Sequence, residues 1–125
     1  MTDAETAARA VMAAHIEALN ARDPDAVAAT LHFPHYRLSG TALKVWDSSE
    51  DYFADFRARA GTDWSHSAFE DIRVVHEADT KVHLDVDVVR YDRTKAVIAR
   101  FRSLWVVTQE GGVWAAKFRS SLASR

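Results

Sequence analysis

The stretch that most constrains this chain is Val82–Val107, two runs of strict alternation on either side of a turn. Val82, Leu84, Val86 and Val88 alternate with His83, Asp85, Asp87 and Val89. Ala99, Phe101, Ser103 and Trp105 then alternate with Arg100, Arg102, Leu104 and Val106. A period of two is the signature of a strand with unlike faces, so the stretch reads as a β-hairpin. Folding it about Arg93–Thr94 sets Asp87 opposite Arg100, Asp85 opposite Arg102 and Val86 opposite Phe101. One face is then apolar and the other carries a ladder of opposite charges. That ladder is either a solvated face or the polar floor of a pocket.

The rest of the chain supplies what such a hairpin packs against. With 125 residues it is long enough for one hydrophobic core, and residues 1–125 read as a single domain. A net charge of -2 with scattered arginines gives no field that would draw in nucleic acid or an acidic membrane. The absence of cysteine excludes a disulfide framework, a thiol nucleophile and cysteine-ligated metal. The N-terminus is acidic at its front and amphipathic, unlike a secretory signal or a membrane span, and the default expectation is a cytoplasmic protein.

Thr2-x-x-Glu5 is a capping-box pattern, and Ala8, Val11, Met12, His15, Ile16 and Leu19 recur at helical spacing, predicting a helix over about Asp3–Ala21. His15 is the polar residue in that stripe. It sits either half-exposed at the stripe edge or aimed into a cavity beneath the helix. Asp23-Pro24-Asp25 starts a short second helix through Leu31, which His32-Phe33-Pro34-His35 breaks. His35–Ser39 and Ala42–Trp46 read as a hairpin about Gly40-Thr41. A third helix follows over about Ser49–Ala60, with Tyr52, Phe53 and Phe56 on one side and Gly61 as its stop. Trp64–Glu77, Val82–Tyr91, Ala96–Gln109 and Val113–Ser121 are predicted strands, the last placing Trp114, Ala116 and Phe118 on one face. Helices grouped ahead of a meander predict an α+β fold, three helices packed on a curved antiparallel sheet, a cone whose open end is a natural small-molecule site.

Several phrases carry a resemblance. Ile16-Glu17-Ala18-Leu19-Asn20-Ala21-Arg22-Asp23 is similar to the "ALNAGD" end of the first helix in the nuclear transport factor 2-like superfamily. The Gly40 turn, the Trp46–Phe56 segment and Gly111-Gly112-Val113-Trp114, like the family's "dGgW" turn, extend the likeness over nearly the whole chain. The chain thus resembles the SnoaL-like and ketosteroid isomerase-like cone proteins of the cystatin-like fold. The resemblance implies one small-molecule-binding domain, no cofactor, and a homodimer formed through the outer sheet face. It does not bring the isomerase machinery with it. The place of the donor tyrosine is held by His15, that of the base aspartate falls near Ser39, and that of the protonated aspartic acid falls near Arg102.

By that alignment the charged hairpin face lines the cone, with His15 as acid/base, Asp85 as its orienter or an alternative base, and Arg102 as anion stabiliser. His35, Trp46, Tyr52 and Phe56, together with Trp64, Trp114 and Phe118, are the expected ligand-binding residues. The apolar face bearing Val86 and Phe101 then turns outward to a second subunit. His32 and His35 lack a third local ligand, and Pro34 denies them a helical face, so no metal site is expected; one of them is expected at the cavity rim and the other solvated. The implied function is binding of a small, partly apolar organic molecule, with acid/base chemistry such as isomerisation, cyclisation or dehydration. The competing class is a non-catalytic binding or dimeric assembly module.

Overall fold

The computed structural model describes residues 1–60 and 63–123. The expected stop at Gly61 lies outside them. In chain order the elements are α1 (Asp3–Ala21), α2 (Pro24–Ala28), β1 (Leu31–Ser39), β2 (Ala42–Trp46), α3 (Ser49–Ala60), β3 (His66–Ala78), β4 (Lys81–Tyr91), β5 (Val97–Glu110) and β6 (Val113–Ser121). The six strands form one sheet in the order β2-β1-β6-β5-β4-β3. All neighbouring pairs are antiparallel except β1 and β6, which run parallel, so the expected all-antiparallel sheet is corrected to a mixed one. The chain is an α+β fold, and α3 enters after the first hairpin.

Local chemistry sets the helix ends. Thr2 caps α1 by accepting from the Glu5 N–H at 3.1 Å, while the Glu5 carboxylate pairs with Arg9 one turn on. Only half of the capping box therefore forms. Asp23 caps α2 through the Ala26 N–H, with Pro24 in the first turn. The helix stops at Ala28, three residues short of the expected Leu31. There the Thr30 hydroxyl bonds back to the Val27 carbonyl and the backbone turns into β1.

The central hairpin departs from its expected register in an informative way. Asp87 faces Arg102, Val86 faces Ser103 and Val88 faces Phe101. The Asp92 carboxylate accepts from Thr94 N–H, Thr94 Oγ1–H and Ala96 N–H, and Lys95 takes a left-handed φ of 69°. This side-chain-built loop is longer than the expected turn and slides the pairing by two residues. Because side chains repeat every two residues, such a slide keeps each on its own face.

The two faces lie the other way round from expectation. Val82, Leu84 and Val86 are fully buried, as are Trp105 and Val107 to within 1% exposure, all packed with the α1 stripe in one core. The apolar face is therefore the inner lining of the cone rather than a subunit interface. The physical reason is reciprocal burial. The Ala8, Val11, Met12 and Leu19 stripe of α1 needs an apolar partner, and this is the sheet face that removes both from water. The charged ladder stays in solvent, where its members satisfy each other. Arg73 pairs with Asp71, Asp85 and Asp87, and Arg102 pairs with Asp85.

A β-bulge in β6 decides what enters the cone. Val107 pairs with Ala116, but Val106 pairs with Phe118, so Lys117 is the extra residue. One inserted residue exchanges the faces beyond it. Phe118 is thrown outward beside Tyr36 and Val106, and Arg119 is thrown inward beside Arg37 and Trp105.

Candidate functional site

His15 lies on the buried face of α1 with no exposed surface. Of the two placements open from sequence, the interior one holds. Its Nδ1 is 2.8 Å from Thr30 Oγ1, and that hydroxyl is 2.7 Å from the Val27 carbonyl. A carbonyl only accepts, so the single Thr30 proton is committed to Val27. Thr30 Oγ1 must then accept from His15 Nδ1–H. The imidazole is fixed as the Nδ1–H tautomer, and its Nε2 lone pair, buried and without a hydrogen-bond partner, is left bare. Burial holds the His15 pKa well below 6.5, with the Arg119 charge and His35 adding to the effect.

His35, fully buried on β1, repeats the arrangement. Its Nδ1–H donates to the Ala116 carbonyl at 3.1 Å, and its Nε2 is bare. Burial and then the Arg119 charge push its pKa down to about 3, against the raising effect of the Ala116 bond. The Tyr52 ring on α3 stands between the two imidazoles, 6.4 Å from His15 and 5.7 Å from His35, and its hydroxyl is also buried without a partner. His35 is thus deeper than the rim position expected. His32 is not solvated either: its Nε2 bonds the Thr108 carbonyl at 3.0 Å.

A cavity of about 30 Å³, measured as the space open to water centres, lies between α1 and the inner sheet face. His15, Phe69, Trp105, Ser103, Ser121 and Arg119 line it, with Arg37, Arg90, Phe56 and Phe101. Trp105 is the hub. The His15 ring meets it edge-on at 5.1 Å, and the Arg119 guanidinium lies 5.0 Å from its ring centre. Arg119 also lies 5.5 Å from the Tyr52 ring centre and is only 9% exposed. Its Nε and Nη2 have no hydrogen-bond partner. Among the described residues no group of three or more histidines and carboxylates is placed to hold a metal.

The expected site residues divide into three groups. His15 and Phe56 line the cavity; His35, Tyr52 and Trp46 form a buried aromatic cluster next to it, with Trp46 2% exposed and its indole N–H bonded to Asp55. Trp64 packs edge-on against Phe56 and donates to Ser67, and Trp114 is half-buried against the core. Asp85, Arg102 and Phe118 are on the other side of the sheet. The expected His15–Asp85–Arg102 constellation does not assemble, because Asp85 and Arg102 alternate with the buried Leu84, Val86 and Trp105. Asp85 is instead ion-paired outside, its pKa lowered by Arg102 and by Arg73. The residues missed from sequence are Thr30, Phe69, Trp105 and above all Arg119.

No family model matches the chain, and no curated protein matches it by sequence. Solved structures match it closely in shape. A protein of unknown function with a cystatin-like fold from Nostoc punctiforme superposes with a TM-score of 0.78 at 11% identity, over 96% of this chain and 90% of the other. A ketosteroid isomerase-like protein from Erwinia carotovora atroseptica gives a TM-score of 0.72 at 17% identity, over 100% and 99%. A nuclear transport factor 2-like protein from Cytophaga hutchinsonii gives 0.74 at 14% identity, over 98% and 99%. The chain has the nuclear transport factor 2-like, cystatin-like fold. Such a fold hosts many activities, so function is argued from the site.

Proposed function

We propose that this protein binds a small, partly apolar organic molecule in the cone, with His15 Nε2 as the group that accepts a hydrogen bond or proton from it. The observation that carries this reading is that His15, a residue of the cavity wall together with Trp105, Phe69 and Phe101, keeps a bare, tautomer-fixed Nε2. A buried acceptor without a partner is costly, by about 1–3 kcal/mol, and a ligand donor at that position recovers it. Proton transfer to Nε2 would leave an imidazolium whose Nδ1–H is already held by Thr30, so the ring need not reorient during a reaction. Isomerisation, cyclisation and dehydration all need such a step, and the solved neighbour named as ketosteroid isomerase-like is in keeping with that class.

A homodimer belongs to the same reading, with the covering surface moved to the true outer face. There Tyr36, Leu38 and Val45 continue into Leu104, Val106 and Phe118 across four adjacent strands. A second reading, an assembly module without a ligand, is favoured by one observation: Trp46, Tyr52 and Trp105 fill much of the cone, each no more than 2% exposed.

NMR shift mapping with a set of small ring compounds separates the two. Ligand binding in the cone predicts perturbed signals at His15, Phe69 and Trp105. A protein that is dimeric but shows no inner-face perturbation at millimolar ligand would favour the assembly module. Charging the outer face by Val106→Asp with Leu104→Asp is expected to halve the solution mass; an unchanged mass would move the interface elsewhere.

A further inference from the structure

We propose that the ligand of this cavity is a small carboxylate, its carboxylate held on the Arg119 guanidinium and its apolar body laid along the half-buried Phe69 and Phe101 toward the surface. The inference deepens the reading of the cone as a ligand site and rests on it.

A guanidinium is always charged, and burying one without a counter-charge is among the most costly arrangements in a protein interior. Arg119 is nine-tenths buried, and no carboxylate pairs with it among the described residues. The ring faces of Trp105 and Tyr52 lie within 5.5 Å of its central carbon and offset part of that cost. Stacking uses the faces of the guanidinium plane. The N–H edge is a separate feature, and it is the edge that binds a carboxylate through paired parallel hydrogen bonds. In Arg119 two of the three edge nitrogens, Nε and Nη2, are without partners.

Arg37, Arg90 and Arg119 all line the cavity, and no Asp or Glu does among the described lining residues. In a low-dielectric enclosure the charge of Arg119, which no described carboxylate offsets, attracts an anion and repels a cation. The bulge at Lys117 puts that charge there, since without the extra residue Phe118 would point in and Arg119 out.

Ser103 Oγ accepts from Trp105 Nε1–H at 2.9 Å, and Ser121 Oγ accepts from the Ala123 N–H at 3.1 Å. Each hydroxyl keeps its proton to give. The two serines are register partners on β5 and β6, both 3% exposed and both on the cavity wall. Size limits the anion. The cavity of about 30 Å³ holds roughly two water-sized groups at ~10–15 Å³ each, which matches the two oxygens of a carboxylate. A tetrahedral phosphate is larger and brings a second charge. The half-buried Ile16, Arg90 and Phe101 leave the apolar remainder of a ligand a way toward the surface.

The link to chemistry is electrostatic. Burial first, and the Arg119 charge after it, lower the basicity of His15. A carboxylate on Arg119 offsets the second of these effects and raises the basicity of Nε2 when a ligand is bound.

The test is calorimetric titration of the full chain with benzoate, acetate and benzamide, the last a neutral isostere of the first. Wild type is expected to bind benzoate at least ten-fold more tightly than benzamide, with acetate weaker than benzoate for want of a ring. Arg119→Gln is expected to lose about 10- to 100-fold in benzoate affinity, the usual consequence of removing a charged hydrogen-bond partner. Asp85→Asn, on the outer face of the sheet, is expected to change benzoate affinity by no more than a few-fold. Equal binding of benzoate and benzamide, or an Arg119→Gln variant that binds benzoate as wild type does, overturns the carboxylate while leaving the cone as a ligand site. Binding of none of the three probes, together with no ring compound perturbing His15, overturns both. Should Arg119→Gln not fold, the wild-type comparison of benzoate with benzamide decides the matter alone, and Arg119→Lys provides the graded variant.

Discussion

Lowering the pH should destabilise this protein well above the range where its carboxylates titrate, and the two buried histidines set the size of the effect. His35 is held neutral down to about pH 3, and burial with the Arg119 charge pushes His15 the same way. In the unfolded chain both return to about 6.5. A histidine with a depressed folded pKa contributes stability that is complete above about pH 6.5. The contribution is lost as pH falls, because the unfolded state takes up protons that the folded state refuses. Between pH 7 and pH 5 the loss is about 2 kcal/mol for His35, it continues until the folded pKa is reached, and His15 adds to it in the same direction. Asp85 and Asp87, whose pKa values are lowered by their arginines, contribute in the same direction only from about pH 4 downward, so the windows are distinct. The assay is urea unfolding at pH 7, 6 and 5, on wild type and on the His15→Asn/His35→Asn double variant. Asparagine preserves the side-chain N–H that each histidine donates and removes the titrating group. The double variant is expected to show a much flatter profile. A wild-type stability that is constant over this range, or a double variant with the wild-type slope, would refute the account of neutral buried imidazoles.

Other consequences follow from the same geometry. Thr30→Val keeps the shape of the side chain but removes the acceptor of His15 Nδ1–H, and is expected to cost about 1–3 kcal/mol in chemical denaturation. Asp85→Asn and Arg102→Ala lie outside the cone and are expected to leave inner-face ligand binding at wild-type level in the same titrations, whereas a loss of binding would return the charged ladder to the site. Trp105→Ala removes the wall shared by His15 and Arg119 and is expected to cost about 3–5 kcal/mol in stability, read from the urea midpoint.

The elements of the fold were legible because each rests on short-range rules. The α1 stripe, the Asp23-Pro24 start, the turn at Gly111-Gly112 and the alternation of β4 and β5 all appear where their patterns place them. The hairpin register was out by two residues because Asp92 builds its loop from side-chain bonds, which no count of turn residues reveals. The orientation of the two hairpin faces was read the wrong way because alternation says that the faces differ and not which one meets the helices. An alignment through Arg102 favoured the charged face, but the unpaired apolar stripe of α1 decides the question physically. The site was half legible. His15 stood out as the polar residue in an apolar stripe, whereas Arg119 was hidden by the bulge at Lys117, which breaks the alternation from Trp114 onward. Nothing in Val113–Ser121 as a string of residues marks the position of that extra residue.

His15, a residue of the cavity wall, keeps a bare Nε2 while Thr30 holds its proton on Nδ1. Nitrogen-15 NMR of the imidazole rings measures this directly. The account predicts that His15 is the neutral Nδ1–H tautomer at pH 7 and stays neutral below the ordinary histidine range, and that adding benzoate shifts its Nε2 signal while leaving Nδ1 protonated. A His15 ring protonated on Nε2, or fully charged at pH 6 in the absence of ligand, would contradict it.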